Sequence, residues 1–276
     1  MLAPHSNSVS IISVTAVSFG LFYVVVQPAR ADLVLDVQVG GNSVLGPITD
    51  NSANDTNPAA GSIGVNVTAL NAALTAQGIP VQVDSFSATS NQLNSPNTNT
   101  LGFLTQSGKA HFTSTTGAPA TVSMIATDHD FLHPNLPVKS LASSASSTFT
   151  NVVAGNQNTF QSFFNPNNTH FAQQLASPAS VLLPNLANNP SSANNTAATT
   201  SLGDQAIPFS LTSRSDLVLG PNTSVSLPAS IQFTGTTSVT AVDVIPLPSS
   251  LGMTTCALGL AGIASYAGHR RQVARS

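Results

Sequence analysis

The sequence predicts a mainly β protein: an antiparallel β-sandwich of jelly-roll-like type, with one short helix near residues 69–77 and an apolar helix at each end. Three observations support this. Short runs rich in Val, Thr and Phe recur along the chain, divided by clusters of Pro, Asn and Ser. Charged residues make up 6% of the chain, against roughly 25% in average soluble proteins. Glu is missing and Lys occurs twice, so the strongest surface helix formers are scarce. Apolar stretches of helical length lie at the two ends, over 11–26 and 249–268.

The N-terminal stretch reads as a signal peptide over residues 1–31. The apolar run 11–26 is short for a permanent span. It is followed by Gln27-Pro28-Ala29-Arg30-Ala31, where Ala29 and Ala31 supply the small residues a signal peptidase requires. Cleavage after Ala31, rather than retention as an anchor, would make Asp32 the first mature residue. Asp32 to Gly40 has the near-alternation of a first strand. Residues 41–62 read as loop, and Thr68 is placed to N-cap a helix that Gly78 would close. Strand-like runs then recur at 79–90, 109–115, 120–127, 147–153, 207–214, 223–227 and 230–240. The Asn188–Thr200 stretch, poor in large apolar residues, reads as a low-complexity surface loop.

All ten acidic residues are Asp, and all lie between Asp32 and Asp243. Only Lys109, Lys139 and Arg214 oppose them there, a formal charge of −7 over the predicted domain 32–244. Such a domain has no electrostatic footprint for nucleic acid. Its lack of cysteine (Cys256 is in the C-terminal stretch) excludes disulfides and thiolate chemistry.

At the C-terminus, Ile245-Pro246-Leu247-Pro248 precedes twenty uncharged residues, 249–268, and then a basic end with Arg270, Arg271 and Arg275. Twenty residues suffice to cross a bilayer as a helix, and the arginines would hold its end in the cytoplasm. This proline pair, apolar helix and arginine cluster over 245–276 resemble the PEP-CTERM sorting signal, in a Pro-Leu-Pro variant. The resemblance implies membrane attachment and processing by an exosortase-like enzyme, after export with signal peptidase as the first partner. It also implies a setting rich in extracellular polysaccharide. Residues 121–164, including Thr121 to Phe131 and Thr159 to Asn165, are loosely similar to the central region of exported proteins that carry such tails.

Asp128-His129-Asp130 with His133 is the one dense group of metal-ligating residue types. Its oxygens suit a hard cation such as calcium. Pro134 prevents a helix from running through it. No Gly-x-Ser-x-Gly elbow occurs, and His111, His129, His133 and His170 stand in no triad-like spacing. No catalytic residue is assigned. Phe160, Phe163, Phe164 and Phe171 read as core or loop anchors. The expected function is a non-enzymatic exported protein of the cell envelope or extracellular matrix, associated with biofilm or exopolysaccharide. The alternative is a secreted hydrolase or metal-dependent enzyme using Asp128, His129, Asp130 and His133.

Overall fold

A computed structural model describes residues 32–91, 100–131, 138–205, 208–222 and 227–240. Outside it lie Ala29 and Ala31 of the expected signal segment, Pro246, Leu247, Pro248, Arg270, Arg271 and Arg275 of the expected tail, and His133. The expected terminal apolar helices and the expected span 249–268 therefore lie outside the described residues. Among those described, no helix is long and apolar enough to cross a membrane.

Fourteen strands and one helix are described. In order they are β1 (Val34–Val39), β2 (Asn42–Ser43), β3 (Ile48–Thr49), β4 (Ser62–Gly64), α1 (Val67–Ala76), β5 (Val81–Ser90) and β6 (Thr100–Phe112). There follow β7 (Ala120–Phe131), β8 (Val138–Thr150), β9 (Gln157–Asn165), β10 (Leu175–Ala176), β11 (Ser180–Leu182), β12 (Ser191–Gln205), β13 (Phe209–Leu219) and β14 (Ser230–Thr240). One sheet runs β10-β9-β13-β7-β1-β2, with β11 also on β9 and β3 also on β1; the other runs β12-β8-β14-β6-β5-β4. Every pairing is antiparallel.

The sheets bury their facing sides against each other. Alternation sends Leu211, Leu217 and Leu219 of β13 inward, while Arg214 and Asp216 stay at the outer surface. Buried phenylalanines from both sheets fill the space: Phe131 stacks on Phe209 at 5.3 Å, and Phe164 leans on Phe209 at 5.0 Å. Phe160 and Phe164 are thus core residues of β9, while Phe163 is buried on its outer side. The interior also holds polar bridges between sheets: Asn158 Nδ2 donates to Ser147 Oγ (2.9 Å), and the Ser162 and Thr237 hydroxyls pair at 2.6 Å.

Two expectations are corrected. Asn188–Thr200 is not a loop, because Ser191 onward forms the long edge strand β12 along β8. An edge strand over a serine-rich neighbour needs no apolar alternation, so its composition resembles that of a loop. The helix starts earlier than Thr68 implied: Asn66 is the N-cap, and its side chain accepts from the Ala69 amide at 3.2 Å. Leu70 and Leu74 are its buried face, and Gly78 follows its end at φ +69°. The expected strand at 223–227 falls almost wholly outside the described residues.

Both ends of the described domain leave at one pole. Val34 pairs with Thr127 near the C-terminal end of β7, whose last residue is Phe131. Phe131 and Phe209 lie against Gly102 of the other sheet, where an added Cβ would meet their rings at 3.2 Å. Gly102 in turn pairs with Val239, one residue before the end of β14. Asp32 and Thr240 therefore emerge together.

Candidate functional site

The Asp-His-Asp triplet ends β7 at that pole, and a β-bulge decides what each residue does. Between the Asp128↔Leu211 and Phe131↔Phe209 pairs, β7 advances three residues while β13 advances two. The extra residue is accommodated at Asp130, whose φ is +61°, a conformation Asp tolerates better than most residues. Strict alternation would return Asp130 to the inner face beside Asp128. The bulge instead re-aims it outward, so that His129 and Asp130 share the outer face. Their side chains are 22% and 47% exposed.

Asp32 joins them through the register of β1. Two residues beyond the Val34↔Thr127 pair, Asp32 comes opposite His129, and its Oδ2 lies 3.5 Å from His129 Nδ1. Asp130 Oδ2 lies 3.1 Å from the same nitrogen. The ligating atoms of Asp32, His129 and Asp130 all fall within 4.8 Å of one another.

The loop after β9 covers this group. Asn168 is clamped to Asp130: its Oδ1 accepts from the Asp130 amide at 2.8 Å, and its Nδ2 donates to the Asp130 carboxylate. The Phe171 amide donates to Thr127 Oγ1 (3.2 Å), and Ser210 Oγ donates to the Thr169 carbonyl (2.7 Å). The loop so fixed packs His170 against His129, with ring centres 4.0 Å apart and planes tilted by 30°. Burial, and secondarily the neighbouring His129, hold the His170 pKa below the ordinary value. Beside the two rings opens a cavity of about 560 Å³, walled also by Asp32, Thr49, Asp50 and Asn51, with no Lys or Arg among the described residues that line it.

Asp128 has a different role. It is fully buried, and desolvation pushes its carboxyl up to about 7. Hydrogen bonds from the Ser90 hydroxyl and from the His129 amide (2.8 Å) oppose this only in part. The four residues expected to act together are therefore divided. His129 and Asp130 meet, Asp128 belongs to the interior, and His133 lies outside the described residues. Asp32 and His170 complete the group; neither could be joined to it from spacing, because strand register brings in one and loop packing the other.

The Asp50–Asp55 loop is self-satisfied. Asp55 accepts from the amides of Asn51, Asn57 and Gly64 at 2.8–3.0 Å, and Asp50 Oδ2 accepts from the Gly61 amide at 2.8 Å. Those carboxylates hold the loop's shape.

No family model and no curated protein matches the sequence. Among solved structures the chain is similar to the CBM22-1 xylan-binding domain from Paenibacillus barcinonensis Xyn10C. That match has 14% identity, covers 59% of this chain and 83% of that one, and has a TM-score of 0.19. A likeness of that size carries no argument about what this chain binds.

Proposed function

We propose that residues 32–244 form a non-enzymatic, jelly-roll-like module exported to the cell envelope or extracellular matrix. It is attached before processing through residues 245–276. The single observation that carries this reading is the common exit pole of Asp32 and Thr240. Cleavage of the leader would free the N-terminus at Asp32 on the same side as the tail. The opposite pole and the outer sheet faces then remain free for contact. Signal peptidase acts at Ala31, and an exosortase-like enzyme reaches the extended chain at Pro246-Leu247-Pro248 just outside the bilayer.

The surface chemistry supports a matrix role. Along β12 and its partner β8, exposed side chains include Ser146, Ser192, Asn194, Asn195, Thr199 and Ser201. Such hydroxyl and amide groups exchange hydrogen bonds with neutral polysaccharide without desolvating charge. The cations of the domain are engaged internally: Arg214 with Asp216 at 2.8 Å, Lys109 with Asp84 at 3.5 Å, and Lys139 with Asp204 at 3.6 Å.

Fractionation of expressing cells tests the reading. The full chain is expected with membranes, and a chain truncated after Val244 is expected folded and released. Replacing Arg270, Arg271 and Arg275 together is expected to weaken membrane retention without unfolding the domain, since 249–268 is rich in Gly and Ala and inserts weakly. A truncated chain that misfolds or stays membrane-bound would assign residues 245–276 to the fold and end the sorting interpretation.

A further inference from the structure

We propose that removal of the leader completes a metal site at the tethered pole. The α-amino group of mature Asp32 joins the carboxylates of Asp32 and Asp130 and Nδ1 of His129 around one borderline divalent cation, of the Zn²⁺ or Cu²⁺ class. This rests on the export reading above, because only cleavage after Ala31 creates that amine.

The side-chain donors already converge. His129 Nδ1 faces two carboxylates, at 3.1 Å from Asp130 and 3.5 Å from Asp32. Three such atoms within 4.8 Å of one another surround a point that a proton or a metal ion can occupy. Two of the donors are held from behind, while Asp32 lies two residues beyond the last β1–β7 pair, Val34 with Thr127. The bulge and Asn168 fix Asp130, and the His170 ring, tilted by 30°, packs against His129. His170 thus acts as a positioning residue, and its Nδ1 is enclosed without a hydrogen-bond partner among the described residues. With no Lys or Arg among the described residues lining the adjoining cavity, the two outward carboxylates give a local field that favours a cation.

Donor chemistry selects the cation class. A free amine and the β-carboxylate of one aspartate close a six-membered chelate ring on a metal. With His129 and Asp130 the set becomes two nitrogens and two oxygens, which suits Zn²⁺ or Cu²⁺. Calcium prefers six to eight oxygens, so the calcium expected from the triplet alone is disfavoured. An ordinary α-amine loses its proton at about pH 8, close enough to neutrality for a metal to displace it.

The test uses the full-length protein exported and processed by cells, with Zn²⁺ alone as the probe, titrated against a competing chelator. One equivalent is expected to bind, and millimolar Ca²⁺ is expected not to displace it. Inserting one Gly between Ala31 and Asp32 moves the amine by a residue while leaving every side-chain donor in place. It is expected to weaken Zn²⁺ binding by about tenfold or more, as are His129→Ala and Asp130→Asn. N-terminal sequencing accompanies each sample, and thermal melting confirms that each variant is folded. Equal affinity with and without the inserted Gly would overturn the role of the amine. No binding by a sample shown to begin at Asp32 would overturn the site while leaving the export reading intact. A sample that retains Met1 would overturn both.

Discussion

Asp128 carries its consequence in its proton. Held at about 7 by burial, its carboxyl stays protonated in the folded chain where the unfolded chain releases the proton near pH 4. The folded state therefore binds more protons across that window. Its stability falls as pH rises from about 4 to about 7, and the cost is fully present above. His170 works in the opposite sense: with its folded pKa lowered, it costs stability as pH falls below about 6.5. Comparing variants separates the two. With chelator present, the stability of Asp128→Asn relative to wild type should increase by about 2 kcal/mol between pH 5 and pH 8. Urea unfolding at each pH measures this, and parallel curves would contradict the account. The sequence marks residues 128–130 as a chemical cluster, but not which of them faces solvent. That choice is made by a one-residue bulge against β13, a strand far away in sequence.

At the scale of elements, what the sequence reveals depends on how each strand is buried. β14 shows its alternation because one face is packed and the other is open to solvent. β9 is less legible because its last four residues are all buried, two of them on its outer side, and its inner face mixes Phe160 and Phe164 with Asn158 and Ser162. β12 is concealed altogether by its Asn, Ser and Thr content. β14 contains the sharpest packing constraint. Phe160 crosses from the opposite sheet onto Gly235, where a Cβ would lie 2.1 Å from the ring. The ring occupies the space a side chain would need, so Gly serves here for close approach. Gly235→Ala should destabilise the domain by about 1–3 kcal/mol. Adding Phe160→Leu should recover part of that loss, because the smaller side chain leaves the methyl room. Denaturant midpoints of both variants decide it; a Gly235→Ala protein as stable as wild type would show that the sheets are not in contact there.

For the whole molecule, the mainly β character of the domain is legible from composition, because strands and helices draw on different residues. The pole at which both of its ends leave is not legible. It follows from three non-local facts: the β1–β7 register, the β6–β14 register, and the contact of Gly102 with Phe131 and Phe209 across the sandwich. The Asp32–His129–Asp130 group lies at this same pole, so the proposed leader removal, the proposed attachment and the proposed cation site are spatially linked. All three depend on where the mature chain begins. The most direct test is therefore the intact mass of the protein recovered from the envelope of cells that make it. The account predicts a chain starting at Asp32, and a mass that retains Met1 would contradict it.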